Sequence, residues 1–369
     1  MRKQDYYWYW LTNINGIGRR TIQRLLDIYG TPEAVYWENE EKVSACFRNI
    51  KQKEAFSMSK REDYIIHSYQ KLAGKGISFI HRDMQCYPKK LRDIPDAPFS
   101  LYLKGSFPPE NQKNVAVIGA RNCTRYGSEI ARFFARELSK YGIGIISGLA
   151  RGIDGMAHAG ALEEEGYTLG VLGCGIDRIY PEENYRLFMQ MEKTGGILSE
   201  NNLGILPAPG LFPQRNRLIA GLSDGILVVE AMEKSGTFIT VDQGLEQGRE
   251  IFALPGRITD KTSAGCNNLI KLGAHMITEV EDILEILQIN RKNVQKSGKA
   301  NDFKAGVNKM SLAPLEKMVY SCLRIEPKYL DDIINEAKIA PQEVCVVLNR
   351  LSVRGVIVET ARNYYAIKL

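Results

Sequence analysis

Short apolar runs alternate with helical stretches from residue 115 onward. The runs cover residues 115–119, 143–146, 169–173, 196–199, 225–229, 251–254 and 274–277. Continuous apolar strands separated by helices are typical of a parallel sheet that is covered on both faces. The pattern predicts a doubly wound α/β domain over residues 112–289. In such sheets, ligands bind outside the carboxyl ends of the strands.

The remaining segments differ in composition from this domain. Residues 1–74 contain few β-branched runs and predict an N-terminal helical domain, and the proline-rich residues 75–111 predict an irregular connector. Residues 290–310 are polar and predict a linker. Residues 311–369 show three short helical patterns and a terminal alternating hairpin, which together predict a winged-helix domain.

The composition is that of an ordinary globular protein with more than one domain. The chain has 369 residues, of which 44% are hydrophobic and 25% are charged. No apolar stretch approaches the roughly 20 residues of a membrane span, and the aromatic run after Asp5 is not a signal sequence. The seven cysteines form no CxxC pair, which favours a reducing compartment. We therefore expect a cytoplasmic protein without a membrane partner.

The net charge of +6 is modest, but it is unevenly distributed. Residues 290–310 hold six lysines or arginines against one aspartate, so this linker is basic. Two interpretations stay open, a solvated linker or a flexible basic arm near an anion. The C-terminal segment from Ser311 is nearly neutral, so a protein contact or packing is as good an interpretation of it as DNA binding.

Glycine-rich turns follow three of the predicted strands. One turn carries Arg121 and a second, SGLARGID, carries Arg151 between two glycines. Glycines allow sharp turns and the close approach of a ligand, and the helix that follows offers free N–H groups to an anion. The alternative is that the glycines only permit tight turns. We predict anion-binding positions at Arg121, Gly148, Arg151, Gly152, Ser235, Gly236 and Thr237.

A further candidate is the segment FPQRNR from Phe212. If a helix begins near Gln214, then Arg215, Asn216 and Arg217 lie at its positive end, and both guanidiniums can donate to phosphates in a forked geometry. The alternative is that these arginines form internal salt bridges to Asp224 or Glu230.

Catalytic and cofactor signals are weak. The turn at Gly119 does not match GxGxxG, so a nicotinamide cofactor is not expected. Asp154 and His158 are four residues apart on a predicted helix, but a structural histidine is the more common case, and Cys174 has no histidine nearby in sequence. Metal-binding spacings such as HExxH are absent from the sequence. We expect no cofactor, no metal and no catalytic residue.

Five segments together resemble one known family. GAR…YG from Gly119, SGLARGID, FPQRNRLIAGLS, SGTFIT and GREIFALPG occur in the order and at the spacing of the DprA family of DNA-processing proteins, also called Smf. The resemblance implies a Rossmann-like domain that binds single-stranded DNA and a homodimer. It also implies that the protein loads a RecA-type recombinase onto incoming DNA and protects that DNA during natural transformation. The family has no established catalytic activity.

The resemblance extends to both ends of the chain. Residues 11–22 resemble a helix-hairpin-helix segment, related to SAM-like helical domains, and a packing role for it is slightly favoured over DNA binding. The C-terminal winged helix matches many family members. Two positions depart from the family: Ala208 and Glu182 stand where basic residues are frequent, which weakens the expected positive groove.

Our hypothesis is that the four arginines and the turn amides hold consecutive phosphates of single-stranded DNA. Two other classes remain open. One is an enzyme of the nucleotide phosphoribohydrolase type, whose PGGxGTxxE pattern uses its glutamate for chemistry, although Thr240 stands at that position here. The other is a recombinase adaptor with weak DNA binding of its own.

Overall fold

A mixed sheet organises the part of the chain that the structure describes. The structure is a computed structural model that describes residues 3–289, 312–324 and 326–367, so the basic linker expected at 290–310 lies outside it. The strands of the sheet are β1 (Ser78–His81), β2 (Ser100–Gly105), β3 (Asn114–Ile118), β4 (Gly144–Ser147), β5 (Thr168–Leu172), β6 (Gly196–Ser199), β7 (Gly225–Val228), β8 (Glu250–Ala253) and β9 (His275–Met276).

The order of these strands is β1-β2-β6-β5-β4-β3-β7-β8-β9 within the described residues. All neighbours from β6 to β9 pair in parallel, as the apolar runs predict. The chain leaves β3 in one direction toward β6 and then returns to build β7, β8 and β9 on the other side of β3. The sheet therefore has its topological switch point between β3 and β7. The prediction of an α/β fold with a largely parallel sheet is confirmed.

Helices cover both faces of the sheet. They are α7 (Lys89–Arg92), α8 (Arg125–Lys140), α9 (Ile153–Glu163), α10 (Tyr185–Thr194), α11 (Leu211–Leu222), α12 (Thr237–Glu246), α13 (Lys261–Lys271) and α14 (Val280–Ile286). The alternation along β3 shows the two layers directly. Val115 and Val117 pack in one cluster with α8, α9 and α14, while Ala116 and Ile118 pack in another with α11, α12 and α13. Because both faces are buried, the strand is apolar at every position from Val115 to Ile118.

The expectation of an irregular connector at 75–111 is corrected by the structure. This segment contributes β1, β2 and α7, and β2 pairs antiparallel with both β1 and β6. Three prolines lie between the two strands and two follow β2, so none interrupts the ladder. The apolar runs around Phe79 and Leu101 supply the buried faces of the added strands.

The N-terminal residues form helices that pack against β1 and β2, at the β1 edge of the sheet. These are α1 (Lys3–Thr12), α2 (Arg19–Tyr29), α3 (Pro32–Trp37), α4 (Glu40–Ser44), α5 (Ile50–Ser59) and α6 (Glu62–Gly74). Their aromatic core, which includes Trp8 and Trp10, is continuous with Phe79 and Tyr102 of the sheet. In the turn between α1 and α2, Gly16 has a φ of 77°, a backbone conformation that favours glycine. The assignment of this turn as a helix-hairpin-helix stays a prediction.

The C-terminal residues form a separate small core. The elements are α15 (Pro314–Ser321), β10 (Lys328–Tyr329), α16 (Leu330–Ala337), α17 (Pro341–Val353), β11 (Ile357–Ala361) and β12 (Tyr364–Ile367). Strand β12 pairs antiparallel with both β10 and β11. Val319, Ile333 and Leu348 lie at the centre of the core. These are the short helices and the hairpin that the sequence pattern indicates, and the winged-helix assignment itself stays a prediction.

Candidate functional site

The loops that follow β3, β4 and β7 meet at one edge of the sheet, beside the topological switch point. We call them the strand-end rim, defined as residues 119–124, 148–152 and 229–236. In open α/β sheets this edge is where ligands bind. The predicted positions Arg121, Gly148, Arg151, Gly152, Ser235 and Gly236 lie on the rim, and Thr237 begins α12 directly after it.

Two of the loops are in direct contact through Gly152. Its φ is 73°, and a Cβ added there would lie 2.5 Å from the carbonyl oxygen of Arg121. The amide of Ile153 donates to the carbonyl of Ala120 at 3.3 Å. The structure thus brings the Arg121 and Arg151 loops together. The glycine at 152 is required by this loop-to-loop approach.

The SGLARGID loop is also held from its other side. Asn184 donates through Nδ2 to the carbonyls of Leu149 at 2.9 Å and Ala150 at 3.0 Å. Leu149 is buried and has a φ of 53°, a conformation that a leucine adopts only when its surroundings impose it. Asn184 is not among the residues predicted from the sequence, although an asparagine amide is well suited to donate to turn carbonyls.

Arg215 is buried beneath the rim. Its Nη1 donates to the carbonyl oxygen of Gly148 at 2.7 Å and to that of Val171, so it joins the ends of β4 and β5. Asn216 is half-buried and accepts from Nε of Arg215 at 3.1 Å. Burial lowers the pKa of Arg215 to about 10, and the nearby carboxylate of Asp154 opposes this shift. The guanidinium therefore stays charged at neutral pH.

Asp154 completes this buried group. Its Oδ2 accepts from the amide of Gly148 at 3.1 Å, and burial raises its pKa while Arg215 acts in the opposite direction. A Cβ on Gly148 would lie 2.6 Å from both Nη2 of Arg215 and Oδ2 of Asp154. Gly148 is a glycine because two side chains of the protein itself occupy the adjoining space.

The expectations for Gly148 and Arg215 are therefore corrected. The amide of Gly148 is already bonded to Asp154, and the guanidinium of Arg215 is committed to backbone carbonyls in the interior. The physical reason is the start of α11, which begins at Leu211 and not near Gln214. This places Arg215 in the second turn, facing the sheet. Both residues shape the rim from within.

Arg217 also differs from the expectation. Its Nη2 pairs with Glu200, and its side chain is only 11% exposed. Neither Asp224 nor Glu230, the partners considered from the sequence, takes this arginine. Asp224 pairs with Lys90 at 2.6 Å. The expected position of Arg217 at the positive helix end is wrong, for the same reason as for Arg215.

Arg121 and Arg151 are exposed on the rim. The guanidinium carbon of Arg121 lies 4.9 Å from the ring centroid of Phe212, within the range of a cation–π contact. Arg151 pairs with Glu183 at 2.6 Å, and the two side chains are 62% and 59% exposed. Since exposed ion pairs are weak, this pair does not prevent Arg151 from meeting another anion.

The start of α12 is the open part of the rim. Gly236 is exposed, and a Cβ added there would have no heavy atom within 4 Å. Oγ of Ser235 accepts from the amide of Thr237 at 3.2 Å and donates to its hydroxyl at 2.9 Å. Among the described residues, none therefore covers the outer face of Gly236.

Groups considered for chemistry are buried and poorly suited to it. Burial raises the pKa of the Cys174 thiol to about 11, so it stays protonated at neutral pH. Burial lowers the pKa of His158 to about 3, and its Nδ1 lies 2.6 Å from Oγ1 of Thr168. Thr240 is buried in α12. Within the described residues, His, Cys, Asp and Glu side chains form no group of three suited to a metal ion.

Comparison with known proteins identifies the family. The family model for DNA recombination-mediator protein A matches residues 78–288, which is more than half of the chain. The chain belongs to this family. The resemblance to DprA/Smf is thereby confirmed. The described helices include none with the length and apolar character needed to cross a bilayer.

Curated relatives agree with this membership of the recombination-mediator family. The DNA processing protein DprA of Bacillus subtilis is 41% identical over 222 residues, covering 60% of this chain and 74% of the relative. Protein Smf of Escherichia coli is 44% identical over 210 residues, covering 57% and 56% respectively. Protein Smf of Synechocystis is 34% identical over 311 residues, covering 77% and 78%.

Two solved structures of the family share the fold. DprA from Streptococcus pneumoniae is 32% identical with a TM-score of 0.65, covering 77% of this chain and 98% of that chain. DNA processing protein A from Helicobacter pylori is 31% identical with a TM-score of 0.51, covering 57% and 95%. The latter structure is described as revealing a single-stranded DNA binding mode of that protein.

We predict that Arg215→Ala lowers the free energy of unfolding by about 3–5 kcal/mol, because it leaves Asp154 as an uncompensated buried charge. The control Arg121→Ala removes an exposed side chain and should change it by less than about 0.5 kcal/mol. Urea unfolding followed by far-UV circular dichroism measures both. Equal stabilities of the two variants would contradict the buried role of Arg215.

Proposed function

We propose that this protein binds single-stranded DNA along the strand-end rim and acts in DNA processing, not in catalysis. The observation that carries the proposal is the contact between the Arg121 and Arg151 loops, each of which carries an exposed arginine on the rim that also includes Gly236 at the start of α12. The single-stranded DNA binding mode of the Helicobacter pylori relative supports the same substrate.

In the proposed complex, the exposed groups contact the DNA and the buried groups hold them in position. Arg121 and Arg151 donate to phosphates, and the backbone at Gly236 together with the hydroxyls of Ser235 and Thr237 extends the track. Gly148, Gly152 and Arg215 position these groups from below, and Asn216 accepts from Arg215. Guanidiniums and backbone N–H groups recognise phosphates without reading bases, so binding is nearly independent of sequence.

Acidic residues beside the rim reduce its positive charge. Glu183 is paired with Arg151, and Glu182, at a position where the family frequently has a basic residue, is exposed next to it. Ala208 adds no charge at the second departing position. Positive charge elsewhere, such as the six lysines and arginines of residues 290–310, compensates for this in the proposed complex.

The proposed biological role follows from family membership. In this role the protein protects incoming single-stranded DNA and loads a RecA-type recombinase onto it during natural transformation. It does so as a cytoplasmic homodimer. The name of the matching family, a recombination mediator, supports the recombinase as a partner.

Single-stranded DNA should bind more tightly than a duplex of the same length, because a flexible strand follows the rim and a stiff duplex does not. With two phosphates neutralised, the logarithm of the binding constant should fall with the logarithm of salt concentration with a slope of about −1.4 or steeper. Fluorescence anisotropy with labelled oligothymidine and a matched duplex, over a salt series, measures this. Equal affinities for both forms would exclude the rim model.

Charge reversal should rank the rim above the basic linker. We expect Arg121→Glu to weaken single-stranded DNA binding by on the order of ten-fold, because it replaces a phosphate contact with repulsion. Lys309→Glu makes the same change in net charge and should have the smaller effect. The opposite ranking in the same anisotropy assay would move the binding site to residues 290–310.

Removing the partner of Arg151 should strengthen binding. We expect Glu183→Gln to raise the affinity for single-stranded DNA about two- to five-fold at low salt, because Arg151 is freed and a repulsive charge is lost. Glu281→Gln on α14 changes the net charge equally outside the rim and serves as the control. If both variants gain affinity to the same degree, the effect is one of net charge and Arg151 has no special role.

A further inference from the structure

A buried carboxylate lies at the topological switch point of the sheet. Glu230 lies two residues after the end of β7 and is only 4% exposed. Its side chain accepts from the amide of Thr124 at 2.8 Å and from the Thr124 hydroxyl at 2.5 Å. Thr124 is the residue that precedes α8, so the carboxylate sits at the N-terminus of that helix.

The surrounding backbone is built to admit this carboxylate. A Cβ on Gly127, in the first turn of α8, would lie 2.5 Å from Oε2 of Glu230. A Cβ on Gly119 would lie 2.8 Å from the carbonyl oxygen of Glu230, and the amide of Ala120 donates to that carbonyl at 2.8 Å. Two glycines of the segment GAR…YG therefore serve Glu230 and not an external ligand.

The position is one that anions favour. A helix that follows a glycine-containing turn after a strand presents N–H donors and a partial positive charge, and nucleotide phosphates usually bind there. We call this position at the start of α8, beside Thr124 and Gly127, the phosphate seat. Open α/β sheets bind nucleotides at the switch point for this reason. In this protein an anion is already bound at that seat, and it is the protein's own Glu230.

We propose that Glu230 determines specificity by filling the phosphate seat at the start of α8. It excludes inorganic phosphate and nucleoside monophosphates from the interior of the sheet edge. Phosphates are then left to the exposed rim at Arg121 and Arg151, where a polymer gains from several contacts and a single phosphate does not. The exclusion goes beyond the proposed DNA binding and does not depend on it.

The test empties the seat with Glu230→Ala in the full-length protein. Inorganic phosphate and adenosine 5′-monophosphate should stabilise this variant in a saturable manner, lowering its unfolding constant about eleven-fold at a ligand concentration ten times Kd. Chloride at matched ionic strength and adenosine without phosphate should have no such effect. Thermal unfolding and isothermal calorimetry provide the two readouts. A folded Glu230→Ala protein that does not respond to phosphate overturns the proposal.

Two matched variants separate occupation of the seat from general loosening of the fold. Glu230→Gln keeps the side-chain volume, so it should stay unresponsive to phosphate, and a response equal to that of Glu230→Ala would overturn the proposal.

Gly127→Ala should destabilise the wild-type protein, because its Cβ meets the carboxylate, but should be tolerated in the Glu230→Ala background. There it refills the space and should abolish the phosphate response. Equal destabilisation in both backgrounds counts against the proposal.

Poor folding of Glu230→Ala would itself be informative. If the empty seat is the cause, the refolding yield should rise with phosphate and not with chloride. A yield that responds to neither anion overturns the proposal. Single-stranded DNA binding is measured in parallel, so loss of the rim function and gain of phosphate binding are recorded as separate results.

Discussion

The rim depends on one constraint: backbone amides in the turns that follow parallel strands need hydrogen-bond acceptors. Here the protein supplies its own carboxylates. Asp154 takes the amide of Gly148, and Glu230 takes that of Thr124. Arg215 then balances the charge of Asp154 while joining the carbonyls at the ends of β4 and β5. A group left unpaired at any of these points would cost more than its bond contributes, so these contacts fix the loops in one arrangement.

This constraint explains what a glycine-framed arginine is for. Gly148 leaves room for two buried side chains, and Gly152 lets the Arg151 loop touch the Arg121 loop. The arginine between them is then displayed outward on a backbone that is held from both sides, with Asn184 anchoring its carbonyls. Rigid display matters for a phosphate ligand, because a guanidinium on a mobile loop would lose conformational entropy on binding.

The sequence predicts the parallel sheet because burial on both faces forces continuous apolar runs, and the runs mark nearly every strand. It also predicts the strand-end rim, because glycines and arginines follow those apolar runs in the sequence. Local patterns could not tell which arginines face outward. Arg121 and Arg215 are both preceded by short turn-like segments, and only the start of α11 at Leu211 turns Arg215 inward.

The sequence does not predict strands β1 and β2, because prolines flank their two short apolar runs and the partner strand β6 lies far along the chain. Glu230 comes directly after the apolar run 225–229, and the sequence suggests it only as a salt-bridge partner for an arginine.

Exposure, and not residue type, therefore separates the structural arginines from those proposed to bind DNA. Removing an ion from water is expensive, so a buried arginine stays with partners that match its geometry, as Arg215 does. An exposed arginine such as Arg151 keeps most of its hydration, and its pair with Glu183 is weak enough to exchange. A polyanion gains by replacing several such weak pairs at once and by releasing its counterions. A single phosphate replaces only one. In the proposed complex, the fold thus ignores small anions and still holds a strand, because Glu230 already occupies the start of α8.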